Sequence, residues 1–229
     1  MNNSHADTIA MDEMDTVKFY KLKMVIYHVI KRMFDIFFAI LGLIFLLPIA
    51  LVVKISYMLN KDFHGIFFKQ KRIGKNGKEF NFYKFRSMIP NADEVLFQLM
   101  KENKELREEY KLNKKLKNDP RITKMGNILR KTSLDELPQV INILKGDMSI
   151  IGNRPYLPRE KEDMGKSFDI IVKTKPGLTG YWQTSGRSDT TFEKRLELES
   201  FYSIHCGLKL DTKIFFKTFS VVLGKKGAK

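Results

Sequence analysis

From Ile36 to Val53 the chain carries no charged residue, and Pro48 interrupts that run two-thirds of the way along. As a straight helix the run rises about 27 Å, near the hydrocarbon thickness of a bilayer. A short transmembrane helix is the plain reading, but two features oppose it. Lys21, Lys23, Lys31 and Arg32 precede the run, and Lys54, Lys61, Lys69, Lys71 and Arg72 follow it. Basic flanks face the cytoplasm, and here both flanks are basic. Pro48 removes one helical hydrogen bond and crowds the carbonyl of Ile44, so a bend is expected there. A proline-broken re-entrant helix over 31–60, with both ends on one membrane face, meets both observations. A core helix of a soluble protein fits poorly, because the run is apolar on every side. Lys31, Arg32, Asp35 and Pro48 are the expected membrane-anchor residues. Asp35 either favours the helix dipole or pairs with a neighbouring arginine at the headgroup level.

Residues 1–30 read as a polar extension. Asp7, Asp12, Glu13 and Asp15 stand where a secretory signal would be basic, so none is expected. Residues 61–229 suffice for one compact domain. The 229-residue chain has 41 lysines and arginines against 26 acids, a formal charge of +15. That excess favours a polyanionic partner: nucleic acid, anionic lipid or phosphorylated substrate. Cys206 is the single cysteine, so no internal disulfide can form. His5, His28, His64 and His205 are scattered, which argues against a zinc site.

The β-rich runs 66–73 and 79–85 flank Asn76-Gly77, a strong hairpin signal. Aromatic side chains alternate onto both faces of the second run, and Lys71, Arg72, Lys84 and Arg86 cluster around it. Such a hairpin is either a solvated basic face or a phosphate site. Residues 91–117 have the period of an amphipathic helix, and 125–145 and 192–204 give two further helical regions. The fold class is α+β: the re-entrant helix plus a small, mainly helical domain with a β-hairpin and amphipathic interfacial helices. The 175–189 segment is a glycine-rich loop system holding the one tryptophan, Trp182. Neither a Walker pattern nor Gly-x-Gly-x-x-Gly occurs, which excludes the common nucleotide cradles.

Residues 131–155 carry the chemistry. Asp135 and Glu136 are adjacent carboxylates in a cationic chain, and Arg154 follows in a Gly-Asn-Arg-Pro turn. Ser133-Leu-Asp-Glu136 also matches a capping box, with Ser133 as N-cap and Glu136 reaching back to its amide. Pro138 disturbs that pattern, so the helix is expected to start irregularly or nearer Pro138. Either way Asp135 lies at a helix N-terminus, where ionised carboxylates and nearby phosphates are favoured. There it could serve as a nucleophile or a Mg²⁺ ligand, and repulsion from a bound phosphate would need a cation to screen it. Arg121, Arg130 and Arg154 are arginine candidates for phosphate.

The ordered set of short motifs resembles the bacterial sugar transferases known as monotopic phosphoglycosyl transferases. It comprises Lys31-Arg-Met-Phe-Asp35, the proline-broken helix, Gln70-Lys-Arg-Ile-Gly74, Tyr83-Lys-Phe-Arg-Ser-Met88, Asp119-Pro-Arg121, Ser133-Leu-Asp-Glu-Leu-Pro-Gln139, Leu144-Lys-Gly-Asp-Met-Ser149, Gly152-Asn-Arg-Pro155 and Lys175-Pro-Gly-Leu-Thr-Gly180. The resemblance implies transfer of a sugar 1-phosphate from a UDP-sugar to a polyprenyl phosphate, undecaprenyl phosphate in this family, with release of UMP. It implies Mg²⁺ as cofactor and 61–229 as a catalytic domain on the cytoplasmic face of the bacterial cell membrane. By motif position Asp135 is the nucleophile and a metal ligand, and Glu136 its catalytic partner. Lys84, Arg86, Arg121 and Arg154 are the expected substrate-binding residues. The implied partners are UDP-sugar, polyprenyl phosphate, membrane lipids and a further copy of the chain in a homo-oligomer, with no nucleic acid.

The chain departs from the family pattern at Asn153, where proline is usual, at Cys206-Gly207, where Trp-Ser is common, and at Glu199, where aspartate is common. The 180–187 segment resembles that of members using glucose or galactose. A non-enzymatic membrane-surface adaptor is the competing reading. It accounts for the charge and the apolar run but leaves the dyad and the arginine turn unexplained.

Overall fold

The computed structural model describes residues 3–113, 116–185 and 190–223. Helix α1, Asn3–Leu59, runs through Pro48 without interruption and takes in residues 3–30 of the segment read as a polar extension. Residues 27–57 of α1 lay one seam along the rest of the protein. Tyr27, Asp35, Ala39 and Leu46 before Pro48, and Val53 and Tyr57 after it, are all buried. These residues recur at intervals of four, seven and eight, the spacing of one helix face. The other faces stay exposed and apolar, with Phe37, Phe45, Leu47 and Leu51 among them. The seam was hidden in the sequence because the run is apolar all round.

Two strands, β1 Phe67–Ile73 and β2 Glu79–Phe85, form the expected antiparallel hairpin, with Gln70 opposite Phe82. Asn76 and Gly77 take positive φ of 58° and 75° in its tip, which is the turn chemistry their sequence favours. The expected helix over 91–117 divides into α2, Ala92–Glu102, and α3, Lys104–Asn113. Asn103 makes the break, because its side-chain oxygen accepts the amides of Glu105 and Leu106 and so caps α3. The 125–145 region likewise divides into α4, Lys124–Lys131, a 3₁₀ turn at Leu134–Glu136, and α5, Gln139–Lys145, which starts directly after Pro138. Gly146 ends α5 with φ of 84°.

Strand β3, Ser149–Ile151, pairs in parallel with β4, Gly177–Thr179. Short helices α6, Lys161–Met164, and α7, Ser167–Ile171, lie between them, and α8, Tyr181–Ser185, follows. The last two helices are α9, Phe192–His205, and α10, Leu208–Leu223. On α10, Asp211 and Ile214 face inward, while Leu208, Phe216 and Phe219 are exposed beside Lys209, Lys213 and Lys217. The main core joins the α1 seam to Phe80, Phe82, Phe85, Leu129, Val140, Ile143 and Met148. Gly42 of α1 meets Val140 of α5 so closely that a Cβ there would lie 2.6 Å from Val140 Cγ1.

The Lys31-Arg-Met-Phe-Asp35 segment fastens α1 to this core. Arg32 donates to the carbonyls of Ile143 and Leu144 at 2.6 and 2.8 Å, completing the C-terminus of α5. Asp35 accepts from Ser149 Oγ and the Ile150 amide, both at 2.8 Å. Lys31 reaches the Ile151 carbonyl and Asp211. The pairing of Asp35 with Arg32 allowed by the sequence is replaced by these longer-range bonds, since each charge finds a partner in the domain.

Candidate active site

Asp135 and Glu136 stand on the 3₁₀ turn between α4 and α5. Ser133 enters that turn with φ of 57° and makes no side-chain cap. The capping box suggested by the sequence is therefore not formed. Glu136 turns to the hairpin instead, where Lys84 Nζ on β2 donates to its Oε1 at 2.7 Å. The same ammonium lies 3.5 Å from Asp135 Oδ2. One cation thus bridges two adjacent carboxylates. Asp135 is the more enclosed partner, with 14% of its side chain exposed against 41% for Glu136. Burial pushes the Asp135 carboxyl above its usual range, Glu136 adds to that, and Lys84 opposes it. A half-buried, part-neutralised aspartate next to a more exposed glutamate is an asymmetric pair. The two can take different roles in one reaction.

The hairpin extends the positive side of the site. Gln70, Arg72, Phe82 and Lys84 share one face of the β1–β2 pair, as period-two alternation and the register require. Arg72 and Lys84 both lie over the Phe82 ring, at 5.3 and 5.6 Å from its centroid. Arg72 donates to Gln70 Oε1 and to the Pro155 carbonyl, so it ties β1 to the turn that carries Arg154. Burial, with the neighbouring charges of Arg154 and Arg159 and against the pull of Glu160 and Glu136, lowers the pKa of the Arg72 guanidinium to about 10. Crowded guanidinium groups of this kind are eased by an anion. Arg130 of α4 bonds Ser87 Oγ through Nε at 2.9 Å, and its charge acts on Asp135.

Two arginines expected to bind substrate are placed elsewhere. The Arg86 guanidinium donates to the Gly65 and Met88 carbonyls and to Asp62, and stacks over Tyr57. Arg86 lies one residue past the end of β2, so the alternation that aims Lys84 at the dyad no longer applies. Arg121 forms a two-pronged pair with Asp119 and is also buried. In this structure both guanidiniums are taken up by partners inside the domain. Arg154 is half-buried on the Gly152–Pro155 turn directly after β3. Of the residues that sequence reasoning left out of the site, Arg72 had a visible signal, its parity with Lys84 across the hairpin.

Residues 26–225 match the family described as Bacterial sugar transferase. The chain belongs to that family. It is 44% identical over 199 residues to the undecaprenyl-phosphate galactose phosphotransferase of Salmonella typhimurium, covering 87% of this chain and 41% of that protein. It is 42% identical over 198 residues to the exopolysaccharide production protein ExoY of Sinorhizobium fredii, covering 86% of this chain and 87% of that protein. With the UDP-glucose:undecaprenyl-phosphate glucose-1-phosphate transferase of Escherichia coli K12 it shares 36% identity over 200 residues, covering 83% and 39% respectively. The chain spans about two-fifths of the length of several of these curated relatives.

Proposed function

We propose that this chain is a phosphoglycosyl transferase that moves a sugar 1-phosphate from a UDP-sugar to a polyprenyl phosphate, with release of UMP. The observation that carries the reading is the Asp135–Glu136 pair bridged by Lys84, in a member of the bacterial sugar transferase family. Names of two relatives point to galactose and glucose as sugars and to undecaprenyl phosphate as acceptor.

An Asp135 carboxylate oxygen attacks the phosphorus that bears the sugar. The bond from that phosphorus to the bridging oxygen breaks, and UMP leaves with both electrons. This forms a phosphosugar-aspartyl intermediate. Glu136 then accepts the proton of the lipid phosphate, whose oxygen attacks the same phosphorus. The aspartyl–phosphorus bond breaks, Asp135 returns to a carboxylate, and a polyprenyl diphosphate sugar departs. Lys84 screens the two carboxylates from each other and from the incoming diphosphate. Arg154 binds the diphosphate.

Asp135 and Glu136 would hold a Mg²⁺ ion. Among the described residues no three His, Cys, Asp or Glu side chains converge. A pair of carboxylates completed by substrate phosphates is nevertheless an ordinary donor set for Mg²⁺. When bound, the ion neutralises charge on the transferring phosphoryl group.

Helix α1 is read as entering and leaving the membrane on one face. It is long and apolar enough to cross a bilayer. Yet its two halves, from Tyr27 to Leu46 and from Val53 to Tyr57, dock on one domain. A helix docked on one domain by residues on both sides of Pro48 keeps those two stretches on the side where that domain lies. Its exposed apolar faces, with the phenylalanines and lysines of α10, supply the immersed surface. The working face is cytoplasmic, where UDP-sugars are made.

The test is UMP release from a panel of UDP-sugars, with and without undecaprenyl phosphate and Mg²⁺. Sustained turnover is expected only with the lipid and the metal, and for one or two sugars. No UMP from any donor under any condition would defeat the proposal.

A further inference from the structure

The turn that carries Arg154 is gripped from two sides by groups of opposite charge. On one side Glu199 of α9 accepts the Arg154 backbone amide at 3.0 Å. On the other, Arg72 of β1 donates to the Pro155 carbonyl at 3.0 Å. Ser203 lies one helical turn beyond Glu199 on the same face of α9. It receives a hydrogen bond from Asn153 Nδ2 at 2.6 Å. Three successive residues, Asn153, Arg154 and Pro155, are therefore each held by a separate long-range bond. A proline at 153 could not donate the first of these, so in this chain a side-chain tether takes the place of ring rigidity.

The site is enclosed. Glu199 is 1% exposed, and its Oε2 and the Arg154 Nε are buried with no hydrogen-bond partner. Tyr156 and Arg195, the latter stacked on Trp182 and Phe192, are the other polar groups whose charge or dipole acts on Glu199. Burying a carboxylate this deeply costs stability unless it holds something in place. What it holds is the Arg154 amide.

We propose that Glu199 and Arg72 are positioning residues that aim Arg154 at the diphosphate of the nucleotide substrate. They act through the Arg154 turn rather than on the substrate itself. The inference rests on the reading of Arg154 as a diphosphate ligand given above.

The experiment is a double-mutant cycle on UDP binding, measured by calorimetry on the detergent-solubilised full chain without lipid acceptor. Glu199→Ala and Arg72→Met are each expected to weaken UDP about tenfold. Combined with Arg154→Ala, neither should weaken it further, because the aimed group is already gone. Glu199→Gln keeps an oxygen to accept the amide and should recover most of the affinity. If Glu199→Ala does not fold, Arg72→Met carries the cycle alone. Losses that add to that of Arg154→Ala, or no loss at all, overturn the proposal. If the wild-type chain binds no UDP, the nucleotide-sugar reading itself fails, a result distinct from either of those.

Discussion

Replacing Lys84 by methionine removes the one cation among the described residues that touches both carboxylates, and keeps most of the side-chain volume. The ammonium sits 3.5 Å from Asp135 Oδ2 and 2.7 Å from Glu136 Oε1. At 3.5 Å the attraction to Asp135 is about 1 kcal/mol if water screens it fully and about 5 kcal/mol at an effective dielectric near 20. Lys84 keeps 27% of its side chain exposed, so the lower half of that range applies. Asp135 is already raised by burial and by Glu136 against the pull of Lys84 and, more weakly, Arg130, and the substitution removes the larger of these two opposing influences. Asp135 must be ionised to attack phosphorus, so activity is lost on the acid side as the carboxylate takes up a proton. The acid limb of kcat against pH should therefore move upward by about one pH unit or more in Lys84→Met. Lys84→Arg should return most of that movement. The assay is UMP release across pH 5 to 9 at saturating UDP-sugar and lipid phosphate. A Lys84→Met profile that is lower everywhere with an unmoved acid limb would refute the reasoning. Lys84 would then serve the substrate alone.

Other placements carry expected outcomes of their own. Arg86→Met should cost about 3 kcal/mol in urea unfolding, because it takes the donor away from Asp62 Oδ2 and from the Gly65 and Met88 carbonyls; the KM of the folded enzyme for UDP-sugar should not change. A raised KM with intact stability would return Arg86 to the phosphate site. Gly126→Ala puts a Cβ 1.9 Å from the Ser87 carbonyl oxygen, which is backbone and cannot swing away. About 3 kcal/mol of stability should be lost, and a neutral result in thermal unfolding would mean α4 does not sit where described. Glu199 is pushed up to about 7 from 4.5, chiefly by burial. A carboxyl raised on folding contributes stability below pH 4.5 that is lost as pH rises through 7. Relative to Glu199→Gln, the wild type should therefore weaken by about 3 kcal/mol between pH 4.5 and pH 8. Parallel stability curves for the two proteins would contradict that.

Local signals in the sequence were reliable where the structure is local. Asn76-Gly77 specified the hairpin tip, and Pro138 specified where α5 begins. The Asp135–Glu136 pair stood out because adjacent acids are conspicuous in so basic a chain. Partners far away in sequence were not legible. Lys31, Arg32 and Asp35 flank an apolar run and read locally as headgroup anchors, yet their bonds go to residues more than a hundred positions on. Arg86 and Arg121 carry the same charge as Arg154, and only burial and hydrogen bonding separate a brace from a ligand. The capping box at Ser133 failed because Lys84, brought in by the hairpin, is a stronger partner for Glu136 than a backbone amide. Strands β3 and β4 are three residues each, too short for any period to show.

The covalent step at Asp135 is the centre of the proposed mechanism. Purified chain mixed with UDP-sugar and Mg²⁺, without lipid acceptor, should release a burst of UMP no larger than one equivalent. Intact-mass spectrometry after acid quenching should show a gain of one sugar phosphate. Peptide mapping should place that gain on Asp135, and added undecaprenyl phosphate should discharge it. Asp135→Asn should show neither burst nor adduct, since an amide is a poor nucleophile. UMP release that requires the lipid from the first turnover, with no adduct at any time, would contradict the central claim.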